Sequence, residues 1–471
     1  MERRTVGDGL VPSRSRGNLD GPGGRPRALA GALGSPLRPT SSADSLDRDA
    51  EAREVAEHLR RNTLTQLAHG LFGQTGFRLV SAPTFLPAYL FMLSGSDFVV
   101  GLARSLQGAG TVASPMLGAS LIGHRKRFLG VTLASSALMR LQILGLALAG
   151  FVLGGTSGST DSPAVAAVVA ITVFLALMGF FQGVAQVTMN ALRAKVIPIN
   201  RRGIVSGARH FLAGLTSAGV SYVAGAYIIE ANTLGNGYAS VFLLAFGITC
   251  IGLFALALTH EPTAVSLRPR ASMTETFKAV GPILRGQPAF RRFFVARALA
   301  SCGSMALPFY ILYAGTRMEV TGAILGLLTT VWMLSSSTSS LVWGALADRY
   351  GYKVVIVATL ACWVASHVQL LFVEDLLGVI VFYVLMGSAY GGFSQSGQNM
   401  VLEFGRPADI PIRLAASGSA VNLVGAVGPF VGGLIVASTG YVALFVTTAL
   451  LQAVAMVIIL VAVPEPRYGA R

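Results

Sequence analysis

The stretch Gly344-Ala-Leu-Ala-Asp348-Arg349-Tyr-Gly351-Tyr-Lys353 stands where one long apolar segment, 324–346, stops and another, 354–373, begins. So short an interval between two runs of membrane-spanning length leaves room for little but a tight, charged, glycine-bent turn. Its pattern is G-x-x-x-D-R-x-G-x-K, carried by Gly344, Asp348, Arg349, Gly351 and Lys353. Working outward, apolar runs of about twenty residues recur along most of the chain, long enough to cross a hydrocarbon core of about 30 Å. The composition agrees: 53% of residues are hydrophobic and only 12% charged, with a mean hydropathy of +0.64. A soluble domain carries about 25% charged residues. The fold class is therefore all-α integral membrane, in contact with a lipid bilayer.

Twelve spans are expected, at about 66–93, 98–121, 129–153, 163–189, 204–229, 238–259, 293–314, 321–346, 354–373, 377–401, 413–437 and 441–463. The loops on one side carry His124-Arg-Lys-Arg127, Arg193 with Lys195, Arg201-Arg202, the basic segment from Arg268 to Arg292, Arg349 with Lys353, and Arg406 with Arg413. On the other side Arg317 is the only basic residue. The positive-inside rule makes the basic side cytoplasmic, and an even span count puts both termini there. The net charge of +15 is thus an orientation signal, and nucleic acid is not needed to explain it. Cys250, Cys302 and Cys362 all lie inside apolar runs and give neither a disulfide framework nor a metal site.

The halves repeat. Residues 174–183 read FLALMGFFQG and 382–391 read FYVLMGSAYG. Gly237-Tyr-Ala-Ser-Val-Phe242 leads to Glu261-Pro262 as Gly440-Tyr-Val-Ala-Leu-Phe445 leads to Glu465-Pro466, and Gly118 parallels Gly344. With these repeats and twelve spans, the chain resembles the major facilitator superfamily of membrane transporters over roughly 64–466. That family's signature between helices 2 and 3, and again between 8 and 9, is G-x-x-x-D-R-x-G-R-[RK]. Tyr352 stands where the second arginine is usual, and Ile122 stands where the first half should carry its aspartate. The resemblance implies two pseudo-symmetric six-helix bundles with a solute site between them near midplane. It also implies a plasma or bacterial inner membrane location, a small-molecule solute, no enzyme activity, no cofactor and a monomer. The expected organisation is an arm with a lead-in helix (1–62), a first bundle (63–260), a cytoplasmic linker (261–292), a second bundle (293–466) and a tail (467–471). The arm, rich in Gly, Pro, Ser and Arg, cannot bury enough surface to fold and is expected to be disordered.

Ionisable groups inside spans are costly and so mark candidate sites. Here they are one-sided. Arg78 falls near the middle of the first span and Arg140, with Gln142, near the middle of the third. Arg104, Arg209 with His210, and Arg297 fall nearer span ends, where snorkelling is expected. His367 and Gln369 occupy the places of Arg140 and Gln142 in the second half, and no Asp or Glu lies deep in any span. Arginines without a carboxylate in a low-dielectric cavity favour an anion, against the alternative that they bind helix carbonyls. Arg78 and Arg297, each followed by a Pro-x-Tyr, resemble in position the arginine pair of the superfamily's phosphate antiporters. Gln182, Gln186 and Asn190 line one face of the fourth span, and Gln398 with its neighbours stands in the matching region of the tenth. They are either cavity-lining groups or interhelical hydrogen bonds. The resemblance implies that Asp348 faces the N-terminus of the fifth span, near Arg202-Gly203, where the helix dipole would make it a latch when the cytoplasmic side is closed. The leading function is a secondary or facilitative transporter of a small anion. The alternatives are an efflux pump for lipophilic compounds and a non-transporting assembly factor on the same scaffold.

Overall fold

The structure, a computed structural model, describes residues 53–154, 162–262, 273–405 and 409–465. The expected disordered arm, most of the loop after Gly154, Arg268 within the linker, Arg406 and the tail lie outside these. Among the described residues every regular element is helical. The spans are α1 (Leu59–Ser94), α2 (Asp97–Ala113 and Pro115–Ile122), α3 (Leu129–Leu153), α4 (Ser162–Val196), α5 (Ile199–Ile229) and α6 (Gly237–Ala257). The second set is α7 (Pro288–Arg317), α8 (Gly322–Tyr350), α9 (Tyr352–Leu371), α10 (Leu376–Glu403), α11 (Ile410–Thr439) and α12 (Tyr441–Ala462). A helix over Met273–Gly286 precedes α7. Eleven described segments are long and apolar enough to cross a membrane. The twelfth, α2, is split at Ser114–Pro115 into pieces of 17 and 8 residues.

Proline explains the other breaks. The first helix of α1 ends at Ser81 and the second begins at Phe85, because Pro83 lacks an N–H and cannot continue the ladder. The carbonyls freed there are taken by Arg104, whose Nη2 donates to Ala82 at 2.8 Å and Ser81 at 3.4 Å. Arg104 therefore does not snorkel. It stays half-buried because a cation at a helix C-terminus is stabilised by the end of the dipole, by about 0.3–2 kcal/mol. In α7 the corresponding region, Ser301–Phe309, tightens into a 3-10 turn containing Pro308.

The opening motif is less of a loop than its polarity implies. Ala, Leu, Asp and Arg continue α8 to Tyr350, and the connection to α9 is Gly351 alone, at φ 88°. A side chain there would be strained and would press on the Glu465 carboxyl, 2.6 Å from its carbon. Glu465 also accepts from the Lys353 N–H at 3.0 Å, at the start of α9. Its repeat partner Glu261 does the same for α3, accepting from the N–H groups of Phe128 at 2.9 Å and Leu129 at 2.8 Å. Lys195 completes that site at 2.7 Å. The Glu-Pro repeat is thus a pair of helix N-terminal clamps, one for each half.

Helices of the first set pack on one another: α1 on α5 and α6, α3 on α4 and α6, α2 on α4. The second set does likewise, with α8 and α9 on α10, and α7 and α9 on α12. Between the sets, α2 packs on α11 and α5 on α8. At the head of α1, Asn62 exchanges hydrogen bonds with the His260 backbone, and Glu54 accepts from the His260 ring at 2.9 Å.

Candidate functional site

Both contacts between the sets are made by small residues and hold over only part of each helix. On α5 and α8, Cβ atoms at Gly225 and Gly326 would collide with the opposing backbone, and Thr330 donates to the Ala218 carbonyl at 2.8 Å. The contact extends to Gly214, where a Cβ would run into the Ser337 hydroxyl. One and two turns further along the same stripes, Leu341 and His210 are exposed, and a Cβ at Gly344 or Gly207 meets nothing within 4 Å. On α2 and α11, Gly101 lies against Pro429, Gly108 against Ala426, and Ser105 accepts from the Phe430 N–H at 2.7 Å. Toward the basic loops Asn422 is exposed and Gly418 faces open space. The two sets therefore meet on the face away from the basic loops, where Tyr441 also donates to Asp97 at 2.6 Å. They part toward the basic face, leaving a crevice.

Arg78 sits at the head of that crevice. It is half-buried, and a Cβ at Gly214 would lie 3.3 Å from its Nη1, so α1, α5 and α8 converge on the guanidinium. Nη1 is buried and has no hydrogen-bond partner among the described residues. Further down the walls, Gln186 and Asn190 on α4 and Gln395 and Gln398 on α10 are exposed, and Gln182 is half-buried. Gln186 donates to Asn190 at 3.2 Å. Exposed amides at this depth are stable only where water reaches them. An aromatic wall joins them: Trp332 and Tyr390 pack with centroids 5.5 Å apart.

The other sequence candidates lie elsewhere. Arg140 is buried inside the first set, donating from Nε to Thr249 and from Nη1 to Ser136, each at 2.8 Å. Gln142 donates to its own helix, at Leu138, over 3.1 Å. Arg297 and Arg209 are buried, where snorkelling was expected. Arg297 donates to the Ser417 hydroxyl at 2.6 Å and lies against Gly397, so glycine admits it between α7, α10 and α11. His367 is enclosed within the second set, with Tyr310 at 2.8 Å and Thr448 at 3.3 Å from Nε2 and the Trp363 carbonyl at 3.0 Å from Nδ1. Asp348, Arg349 and Lys353 lie together at the α8–α9 junction on the basic face. Sequence reasoning missed Gln66, His69 and the depth of Arg193. Glycine at 70 and 73, which makes room for long side chains from neighbouring helices, was the available signal.

Among the described residues, twelve spans in two sets around a crevice give the architecture of a multi-pass membrane protein. Residues 293–471 match the model of the Major Facilitator Superfamily. Over that stretch, which is less than half of its length, the chain is similar to this superfamily. It is similar to a "Multi-drug resistance efflux pump PmrA homolog" of Lactococcus lactis, 24% identical over 83% of this chain and 92% of the relative. It is also similar to "Multidrug resistance protein MdtG" of Escherichia coli, 25% identical over 58% of this chain and just under two thirds (66%) of that one. In fold it is similar to a D-xylose-proton symporter (TM-score 0.67, 16% identity, 87% of this chain and 99% of that one). A nucleoside transporter, NupG, in a D323A mutant form, is comparable (TM-score 0.66, 15% identity, 84% and 99%).

Proposed function

We propose that the chain moves an organic anion with an apolar body, by alternating access through the crevice. The observation that carries this is the buried, unpartnered Arg78 Nη1 at the head of the crevice. No carboxylate lies deep in any described span. An anion brings the counter-charge that the protein lacks, and a guanidinium receives a carboxylate or phosphate through two parallel bonds. The Trp332–Tyr390 wall supplies the apolar surface. In this reading the basic face is cytoplasmic, the termini lie there, and the chain acts as a monomer in a plasma or bacterial inner membrane. The two six-helix bundles, 63–260 and 293–466, rock about the α2–α11 and α5–α8 contacts, and 261–292 links them. The conformation described is then inward-open.

A second reading, export of neutral lipophiles, draws on the aromatic wall and on the names of the two efflux relatives. Binding of aromatic carboxylates, aromatic phosphates and matched neutral aromatics to wild type and Arg78→Gln separates the two. Selective binding of the anions, lost in the variant, supports the first. Equal binding of the neutral compounds by both proteins would overturn it.

A further inference from the structure

The first set of helices holds a second cluster of cations, outside the crevice. Spans α1 and α5 pack on each other, and α4 touches both. They bring His69 of α1, one helical turn from Gln66, toward Arg193 of α4 and Arg209 of α5. Gln66 and Arg209 are 0% and 2% exposed and His69 8%. Arg209 lies across Gly70, with Nε 2.6 Å from where a Cβ would stand, one helical turn from Gln66. His69 lies within electrostatic reach of Arg193 and Arg209, and 3.5 Å from the Nη2 of Arg140. Among the described residues no carboxylate pairs with Arg193 or Arg209.

The hydrogen-bond inventory of the cluster is lopsided. Both amide atoms of Gln66, Nδ1 of His69, Nε of Arg193, and Nε and Nη1 of Arg209 are buried and unpartnered. Of these six atoms the four on Arg193, Arg209 and the Gln66 amide nitrogen can only donate. Water, which donates as much as it accepts, would match few of them and would leave the positive charges uncompensated. An ion that only accepts, and carries negative charge, satisfies both needs. We propose that this pocket binds one small inorganic anion, of chloride to phosphate size, at a site separate from the crevice and from Arg78. The ion neutralises the arginines and ties α4 and α5 to α1, so it acts as a resident ion of the first bundle.

The test is thermal unfolding of the full chain in nanodiscs of neutral lipid, in gluconate buffer, titrated with chloride, inorganic phosphate or sulfate. A saturable rise in Tm with one of them is expected in wild type and in Arg78→Gln. In Arg209→Gln the midpoint should move to about tenfold higher concentration, the loss expected for a charge-assisted hydrogen bond. If Arg209→Gln does not fold, Arg193→Gln and Gln66→Leu give the same readout. No shift in wild type with any of the three anions would overturn the proposal. So would a shift unchanged in the pocket variants, or one abolished in Arg78→Gln, which would place the ion in the crevice. A further arm adds phosphatidylglycerol in place of salt. A shift with that lipid alone would assign the pocket to a headgroup and overturn the inorganic-ion proposal.

Discussion

Gly225 and Gly326 meet backbone to backbone: a Cβ on Gly326 would lie 2.9 Å from the Gly225 Cα. Only glycine at both positions lets α5 and α8 close the face opposite the basic loops. Gly326→Leu should therefore disfavour this conformation by about 1–3 kcal/mol of overpacking, a shift of roughly tenfold or more in the ratio of the two states. A cysteine placed at Gly207, with the three native cysteines replaced, should then react more slowly with an impermeant thiol reagent added on the basic side. An unchanged rate would mean that the contact does not set the conformation.

Arg78 contributes binding, and its removal should leave the fold intact. Arg78→Gln should weaken an anionic ligand by about 1.5–3 kcal/mol, the range for a hydrogen bond to a charged group, while Tm changes little. Arg78→Lys should recover part of the affinity, because charge remains but the fork is lost. Equal binding in all three proteins would remove Arg78 from the site.

Arg140 should behave in the opposite way. Its guanidinium holds the Thr249 and Ser136 carbonyls, so Arg140→Ala leaves acceptors unpaired and opens space in the interior. A loss of about 2–4 kcal/mol is expected, visible as a lower Tm. Whatever protein folds should keep its ligand affinity. A stable variant with lost binding would return Arg140 to the list of solute contacts.

The two glutamate clamps give a matched pair. Glu261→Gln and Glu465→Gln remove a carboxylate from the N-termini of α3 and α9, each at an expected cost of about 1–2 kcal/mol. Denaturant midpoints of the two variants measure each clamp, and an unchanged midpoint would show that the clamp adds nothing.

Asp348→Asn tests the latch. If Asp348 stabilises the closed basic face through the α5 N-terminus, its loss should raise the open population several-fold. Interspin distances between labels at positions 203 and 344 report this. An unaltered distribution would end the latch idea.

Much of the architecture was legible in the sequence because a bilayer imposes length and polarity on every span. Span ends were less so. Helix formers carry α4 to Val196 and α8 to Tyr350, past the point where hydropathy falls. Hydropathy reports where apolar residues stop, whereas a helix stops where its backbone is broken, as at Gly351. The site was legible by residue type but not by depth. Arg78 and Arg140 look alike in a single chain, and only packing shows one facing a cleft and the other holding carbonyls. Arg104 and Arg297 misled for a related reason: a broken α1 and a glycine at 397 provide interior places for them that distance from a span end does not reveal.

The absence of a carboxylate deep in any described span has an electrical consequence. No protein group of that kind is there to carry a proton across with the solute, so under the proposed reading the anion itself is the charge that moves. In the proposed orientation an outward-going anion leaves a negative compartment, and each 100 mV of membrane potential contributes about 2.3 kcal/mol per charge. That corresponds to roughly a fifty-fold gradient. The resting voltage of the cell would then drive export without any coupled ion, and uptake through the same path would run uphill.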